Sequence, residues 1–324
     1  SSEMKSYRAN TLSRRTVLTS LLASAALPAW AQTLPTNPDV VIIGAGSAGL
    51  SAARTLIAQG KSVVIVEGAD RIGGRAYTES ETFGVPYDHG CFNVMGPKKF
   101  AYLDMAEEWG FELHRMNGMD ETVYVGDRKA TEGELKLYGQ AWRKMRSALN
   151  KAGRAGLDVS WASAMPDDFG DMRFAGLSQT WMGPMGFAAD FEDLSIKDWW
   201  NYGSVPNRNM IKQGYGTLVA RMGEGLPVKL NTPATRVDWS GDGVSVETPA
   251  GTIRAKACLI TVSPGVLSAG SIKFTPELPD WKQQAIGNLP MGLLAKVTLQ
   301  FDGDRLGLSQ NKWLSYVVPS DMPA

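Results

Sequence analysis

Asp39-Val-Val-Ile-Ile-Gly-Ala-Gly-Ser-Ala-Gly-Leu50, followed by Val63-Val-Ile-Val-Glu67, reads as strand, glycine turn, helix, strand and acid. Val40 to Ile43 is a short apolar run of the kind that forms a strand buried on both faces. Gly44, Gly46 and Gly49 have the G-x-G-x-x-G spacing. The first glycine lets the chain turn, the second lets a pyrophosphate approach the backbone, and the third lets helix pack on strand. A helix from about Ala48 to Gln59 then aims its N-terminal N–H groups at the phosphates. Glu67 closes the second strand, 18 residues after Gly49, where a carboxylate can accept both ribose hydroxyls. Glycine turns are common, so the spacing alone is weak; strand before, helix after and acid at the right distance make it a dinucleotide site.

Arg71-Ile-Gly-Gly-Arg-Ala76 comes next. Gly73 and Gly74 permit close backbone approach, and Arg75 offers a guanidinium fork suited to phosphate. Arg71 and Arg75 would pass for surface charges if they did not follow the ribose acid. With these residues the chain resembles the flavin-containing amine oxidases, whose second signature is this R-x-G-G-R segment. The resemblance implies FAD, with Glu67 on the adenosine ribose and Arg75 near the pyrophosphate. The fold it implies is α/β: a Rossmann-type FAD-binding domain interleaved with a mixed α+β substrate domain.

Asp88-His-Gly-Cys-Phe-Asn-Val-Met-Gly96 is similar to the family's D-x-G segment, which passes in front of the flavin. Met95 stands where several polyamine oxidases carry a histidine. Read without the family, Asp88 either holds a turn or touches a ligand, and His89 is a structural histidine. Met291-Gly-Leu-Leu-Ala-Lys-Val-Thr-Leu-Gln-Phe301 matches a further element. Val297, Leu299 and Phe301 alternate as a half-buried strand. Lys296 read alone is a strand lysine with its ammonium in solvent. The family's lysine at this position hydrogen-bonds a water at flavin N5, which makes Lys296 the catalytic candidate.

The expected domain boundaries follow from this pattern. Residues 38–97 form the first part of the FAD-binding domain, and 98–205 a mainly helical part of the substrate domain. Leu135, Tyr138, Trp142, Met145 and Leu149 form one apolar stripe there, and Lys136, Arg143, Lys144 and Arg146 lie on a solvated face. The aromatic and methionine-rich stretch from Trp161 to Tyr202 reads mostly as core, with an apolar substrate pocket as the alternative for some of its side chains. Residues 206–286 return to the FAD-binding domain through short strands with hairpin turns at Ser240–Gly243 and Pro249–Gly251. By the resemblance, the backbone of Val237 lies near the adenine. Residues 287–324 begin the second part of the substrate domain. The family's last FAD-binding segment is not found before Ala324, so roughly a quarter to a third of a complete two-domain oxidase is expected to be missing.

Ser13-Arg14-Arg15-Thr16-Val17-Leu18, the apolar run to Ala26 and Ala29-Trp30-Ala31 read as a twin-arginine signal with an A-x-A cleavage site. A membrane anchor is the alternative, but a span needs roughly 20 apolar residues. The signal, residues 1–31, predicts export to the periplasm or beyond through the twin-arginine translocation machinery, with no stable membrane anchor. The whole chain has 33 basic and 33 acidic residues. Cleavage removes Lys5, Arg8, Arg14, Arg15 and Glu3 and leaves 29 basic and 32 acidic, a net charge of −3. That balance does not suggest nucleic acid. Cys91 and Cys258 are too few for a disulfide framework, lack metal-ligand spacing and read as buried hydrophobes. With only two histidines, His89 and His114, a histidine metal site is not expected.

The resemblance therefore implies FAD-dependent oxidation of a small-molecule amine to an imine, hydride passing to the flavin and oxygen reoxidising it to give hydrogen peroxide. Few acid/base residues are needed, because the cofactor carries the difficult step. A dehydrogenase of the same fold would instead pass electrons to a periplasmic redox carrier. An L-amino-acid oxidase would place an arginine after the D-x-G segment, where this chain has Gly96-Pro-Lys-Lys99. A non-catalytic fragment is the fourth reading.

Overall fold

The computed structural model describes residues 37–96, 100–116, 120–168, 170–203, 207–303, 307 and 312–318. The expected signal, residues 1–31, lies outside them. The chain divides into two compact units. Of the described residues, one unit takes those up to Ile72, Arg221–Thr261 and Lys273–Pro276; the other takes those from Gly73 to Ala220, Val262–Ile272 and those from Glu277 on.

The first unit holds a four-stranded parallel sheet. Its order is Val228–Lys229, Val63–Val66, Val40–Ile43, Ala257–Ile260. The two central strands are runs of valine and isoleucine, β-branched residues that fit a pleated, covered surface. Val41, Ile42, Val64 and Ile65 are fully buried there. The Ser47–Ala58 helix buries Gly49, Leu50 and Ala53 and ends at Gly60, whose φ of +75° suits a left-handed C-terminal stop. A second sheet, ordered Gly251–Ala255, Val244–Thr248, Arg236–Asp238, Lys273–Thr275, completes this unit. Its first three strands are the expected antiparallel hairpins, and the last joins in parallel.

The second unit is mainly helical, as the sequence predicts, but three strands within 98–205 escape a reading by periodicity. Leu113–Arg115 and Asn93–Gly96 both pair with Asn207–Ile211. Asp120–Val125 turns at Gly126 onto Arg128–Lys129 and pairs in parallel with Lys312–Val317. The distant partners of Leu113–Arg115 and Asp120–Val125 lie about 100 and 190 residues away in sequence, so local pattern carried no trace of those two pairings.

The Glu132–Arg154 helix is the main support of this unit. Thr131 and Glu134 form a reciprocal capping box, and Arg128 donates to both oxygens of Glu134 at 2.8 and 3.0 Å. Met145 and Leu149 of the expected stripe are fully buried, whereas Leu135 is exposed. The stripe faces Trp161, which is 1% exposed. The rings of Phe187, Phe191 and Trp199 stand edge-on to Trp161 at 5.2–5.5 Å. The aromatic stretch is thus core around Trp161 and Met182, while Met185, Trp200 and Tyr202 reach the surface. Trp161→Ala should cost about 3–5 kcal/mol, read as a lowered denaturant midpoint at unchanged slope.

The expected boundaries at 97, 205 and 286 do not coincide with those of the compact units. Residues 73–96 make their backbone and side-chain bonds with 207–217 and with Lys296, which draws them into the helical unit. The expected strand at Val297–Phe301 is not formed either. No described strand offers it a ladder, and Val297 and Leu299 are 88% and 68% exposed. The alternation is present but inverted: Lys296 and Thr298 face Asp88, Gly90 and Tyr87, and the apolar residues face out.

Candidate functional site

In the first unit the glycine turn and Glu67 form one structure. Gly44 has φ of +106°, a conformation that favours glycine, and its N–H donates to Val66 O at 2.8 Å. Gly46 caps the helix without a side chain, which leaves the first-turn N–H groups and the positive helix end open to an anion. A Cβ on Gly49 would lie 2.0 Å from Gly44 O and 3.0 Å from Thr261 Oγ1. The carboxylate of Glu67 accepts from Ala45 N–H at 2.7 Å and from Ala69 N–H at 2.8 Å. It therefore sits across the turn, as an acid placed for the neighbouring sugar must.

Two parts of this cradle carry no sequence signal in the strand–turn–helix pattern. Thr261 donates its hydroxyl to Ile43 O and Gly44 O at 2.9 and 3.1 Å, tying the Ala257–Ile260 strand end to the turn. Asn231 and Thr232 donate backbone N–H to Ala69 O and Glu67 O at 2.8 and 2.7 Å, with Asn231 at φ of +51°. Residues 231–232 thus line the acid's loop. Val237 does not: it is 3% exposed in the second sheet, on a strand flanked on both sides. In that strand Val237 pairs with Val246 on one side and Phe274 on the other.

In the second unit the chain that follows the R-x-G-G-R glycines forms a two-stranded ribbon with the D-x-G segment, Thr78–Glu79 pairing with Tyr87–Asp88. Gly73 and Gly74, at φ of +101° and +58°, make the turn into it. Cys91 N–H donates to Arg75 O at 3.1 Å and His89 N–H to Tyr77 O at 2.9 Å. Gly90 is required for this approach, since a Cβ there would lie 1.7 Å from Arg75 O. The side chain of Arg75 is exposed.

Asp88 resolves to a structural role. Its carboxylate accepts from Thr78 Oγ at 2.5 Å and from Tyr215 and Gly216 N–H at 3.0 and 3.1 Å, capping the Tyr215–Met222 helix. His89 is likewise structural: Nε2 lies 3.1 Å from Glu79 Oε1, and the ring stacks on Tyr77 at 5.0 Å. Met95 sits in the Asn93–Gly96 strand opposite Arg208.

Lys296 reaches the same ribbon. Its Nζ donates to Asp88 O at 2.5 Å and Gly90 O at 2.6 Å. It also lies 5.0 and 5.6 Å from the ring centroids of Phe92 and Tyr87. Tyr87 in turn hydrogen-bonds the Thr298 hydroxyl. The ammonium is held by two carbonyls and two π faces, so the free, solvent-directed strand lysine is not what forms.

Cys91 is exposed and Cys258 half-buried, which corrects the expectation of two buried hydrophobes. The sulfur of Cys91 is nonetheless packed: desolvation first, then the Asp88 carboxylate, pushes the thiol up to about 11. Burial pushes Cys258 up to about 12. Because the thiolate is the nucleophile, alkylation of Cys91 at pH 8 should run about 100-fold slower than that of an unperturbed thiol. Mass-spectrometric labelling kinetics would show it, and labelling at the free-thiol rate would contradict it.

A parallel sheet entered by a glycine turn, with an acid across the turn and a helix end open to phosphate, defines a dinucleotide-binding protein. The family model of the flavin-containing amine oxidoreductases matches residues 47–315, and the chain belongs to that family. Its cofactor is FAD, and the glycine cradle and Glu67 fit the adenosine diphosphate part of that group. Polyamine oxidase 2 of Arabidopsis thaliana is 31% identical over 290 residues, covering 82% of this chain and 59% of that protein. Lysine-specific histone demethylase 2 of Homo sapiens is 29% identical over 286 residues, covering 82% of this chain and 35% of that one. Wild-type putrescine oxidase bound to putrescine shares the fold, with a TM-score of 0.60 at 22% identity over 78% of this chain and 63% of that one. The chain thus spans about 60% of the length of the polyamine oxidases it matches.

Proposed function

We propose that this chain belongs to an exported enzyme that oxidises the carbon–nitrogen bond of a small-molecule amine, with oxygen as final acceptor. The observation that carries the reading is the carboxylate of Glu67 held across the Gly44–Gly49 turn by the N–H groups of Ala45 and Ala69. Gly44, Gly46 and Gly49 would admit the pyrophosphate, and Glu67 would hold the ribose by its carboxylate oxygens. Gly73 and Gly74 would bring the backbone close to a phosphate, with Arg75 adding charge. FAD, when bound, supplies the acceptor for the hydride lost from the carbon next to nitrogen. Lys296 would hold a water by its remaining donor capacity, since two of its three N–H bonds are used on carbonyls. The polyamine and putrescine oxidases that the chain resembles support an amine as substrate. The paired arginines before an apolar run support export.

The test is an absorbance spectrum of the purified chain supplied with FAD, then anaerobic addition of putrescine, spermidine and phenethylamine. A flavin band that one amine bleaches, and that returns with hydrogen peroxide on admitting oxygen, is the expected result. Reoxidation by dye but not oxygen would replace the oxidase with a carrier-linked dehydrogenase. A protein that takes up no flavin would overturn the proposal for this chain.

A further inference from the structure

We propose that the helical unit carries a second, non-catalytic binding site for a free aromatic α-amino acid. The site is a cavity of about 390 Å³. That volume falls within the range of small-ligand pockets, about 300–1,000 Å³. Three indoles form its walls: Trp142 from the long helix, Trp181 from the Met172–Met182 helix and Trp313 from the Lys312–Val317 strand. None is loose. Trp181 and Trp313 meet edge to face at 5.0 Å, and Trp181 Nε1–H donates to Ser315 Oγ at 2.9 Å. Tyr138 stands edge-on to Trp142 at 6.5 Å.

Charges of both signs line the cavity. Glu121 has one oxygen fixed by the hydroxyls of Tyr138, at 3.3 Å, and Ser315. Its other oxygen has no hydrogen-bond partner among the described residues. Arg143 and Arg208 also line the cavity, and neither has a carboxylate within ion-pair distance among the described residues. Gly139 makes room for one of them: a Cβ there would lie 3.2 Å from Arg143 Nη1. Glycine inside a helix costs about 1 kcal/mol relative to alanine, and its position one turn before Arg143 gives that cost a reason.

An ammonium ligand would satisfy Glu121 and meet two opposing guanidinium groups. A carboxylate ligand would satisfy the arginines and leave the Glu121 oxygen facing it. Only a ligand with both charges and a flat apolar body uses every wall. The carboxylate would take the arginine forks, the ammonium the free oxygen of Glu121, and the ring the indoles. These residues include neither Lys296 nor Asp88 nor the glycine turn. The proposal stands whether or not the chain oxidises amines.

The experiment is a fluorescence and calorimetric titration of the purified chain with L-phenylalanine, phenylacetate and phenethylamine. Phenylalanine should bind at least tenfold more tightly than either half-ligand. Glu121→Gln should weaken phenylalanine about tenfold and leave phenylacetate unchanged. Arg208→Gln should weaken both and leave phenethylamine unchanged. Both substitutions are at exposed positions, and unchanged far-ultraviolet circular dichroism would establish that the variants fold. Phenylacetate binding as well as phenylalanine would remove Glu121 from the site and overturn the proposal. Phenethylamine binding as well as phenylalanine would remove the arginines and overturn it equally, as would the absence of saturable binding. Because the titration needs no flavin, its outcome is separate from that of the amine-oxidation test.

Discussion

Alanine at Gly49 should leave the purified chain without retained flavin. The added Cβ would lie 2.0 Å from Gly44 O, where real carbon atoms do not go, and the obstacle is backbone. The Ser47–Ala58 helix would have to back away from the strand that ends at Ile43. Thr261 Oγ1, 3.0 Å from the same point, blocks retreat on one side. Moving the helix also shifts Ala45, whose N–H holds Glu67 at 2.7 Å. Phosphate cradle and ribose acid would then be misplaced together. Overpacking alone commonly costs about 1–3 kcal/mol; with the loss of aligned N–H groups, flavin affinity should fall at least about 100-fold, equivalent to roughly 3 kcal/mol. The flavin-to-protein ratio after gel filtration measures this. Ser51→Ala, at an exposed position of the same helix, is the control and should keep the parent ratio. Stoichiometric flavin in Gly49→Ala would show that the turn does not hold the cofactor.

Legibility in the sequence depended on how local each feature's cause is. Residues 39–67 were readable because strand, turn, helix and strand follow each other without a break, and each residue type has one steric reason. Asp88 was not: its partners, the N–H groups of Tyr215 and Gly216, lie 127 and 128 residues away. Thr261 reaches back 217 and 218 residues, and nothing in its neighbourhood marks it. Val237 was reached through the resemblance alone, since the local pattern shows only a strand there. The Val297–Phe301 alternation shows the limit most clearly. Period two tells that the chain is extended but not which side faces protein, and the pull of two carbonyls on Lys296 decided that.

The same clasp supplies the second large expectation. Lys296→Met should slow amine-dependent flavin reduction about 100-fold while changing global stability little. The stability cost is small because Lys296 is exposed, and a freed carbonyl at the surface regains water. Local order is another matter. Asp88 O and Gly90 O flank the N–H groups of His89 and Cys91, which pair with Tyr77 O and Arg75 O. Without the ammonium the ribbon is held from one side only, and these two amides should exchange about tenfold faster, an opening easier by roughly 1.4 kcal/mol. The rate loss follows because a positioned proton-handling group contributes about 10²–10⁴-fold, and the clasp aims Lys296 at the segment expected to border the flavin. Arginine is not a substitute, since its planar fork cannot place donors on two carbonyls as a compact ammonium does. Lys296→Arg should therefore recover neither the exchange protection of His89 and Cys91 nor the rate. Faster exchange at His89 and Cys91 with an unchanged rate would reduce Lys296 to a tie of the ribbon. An unchanged exchange pattern with an unchanged rate would mean that the two short carbonyl contacts do not hold in solution.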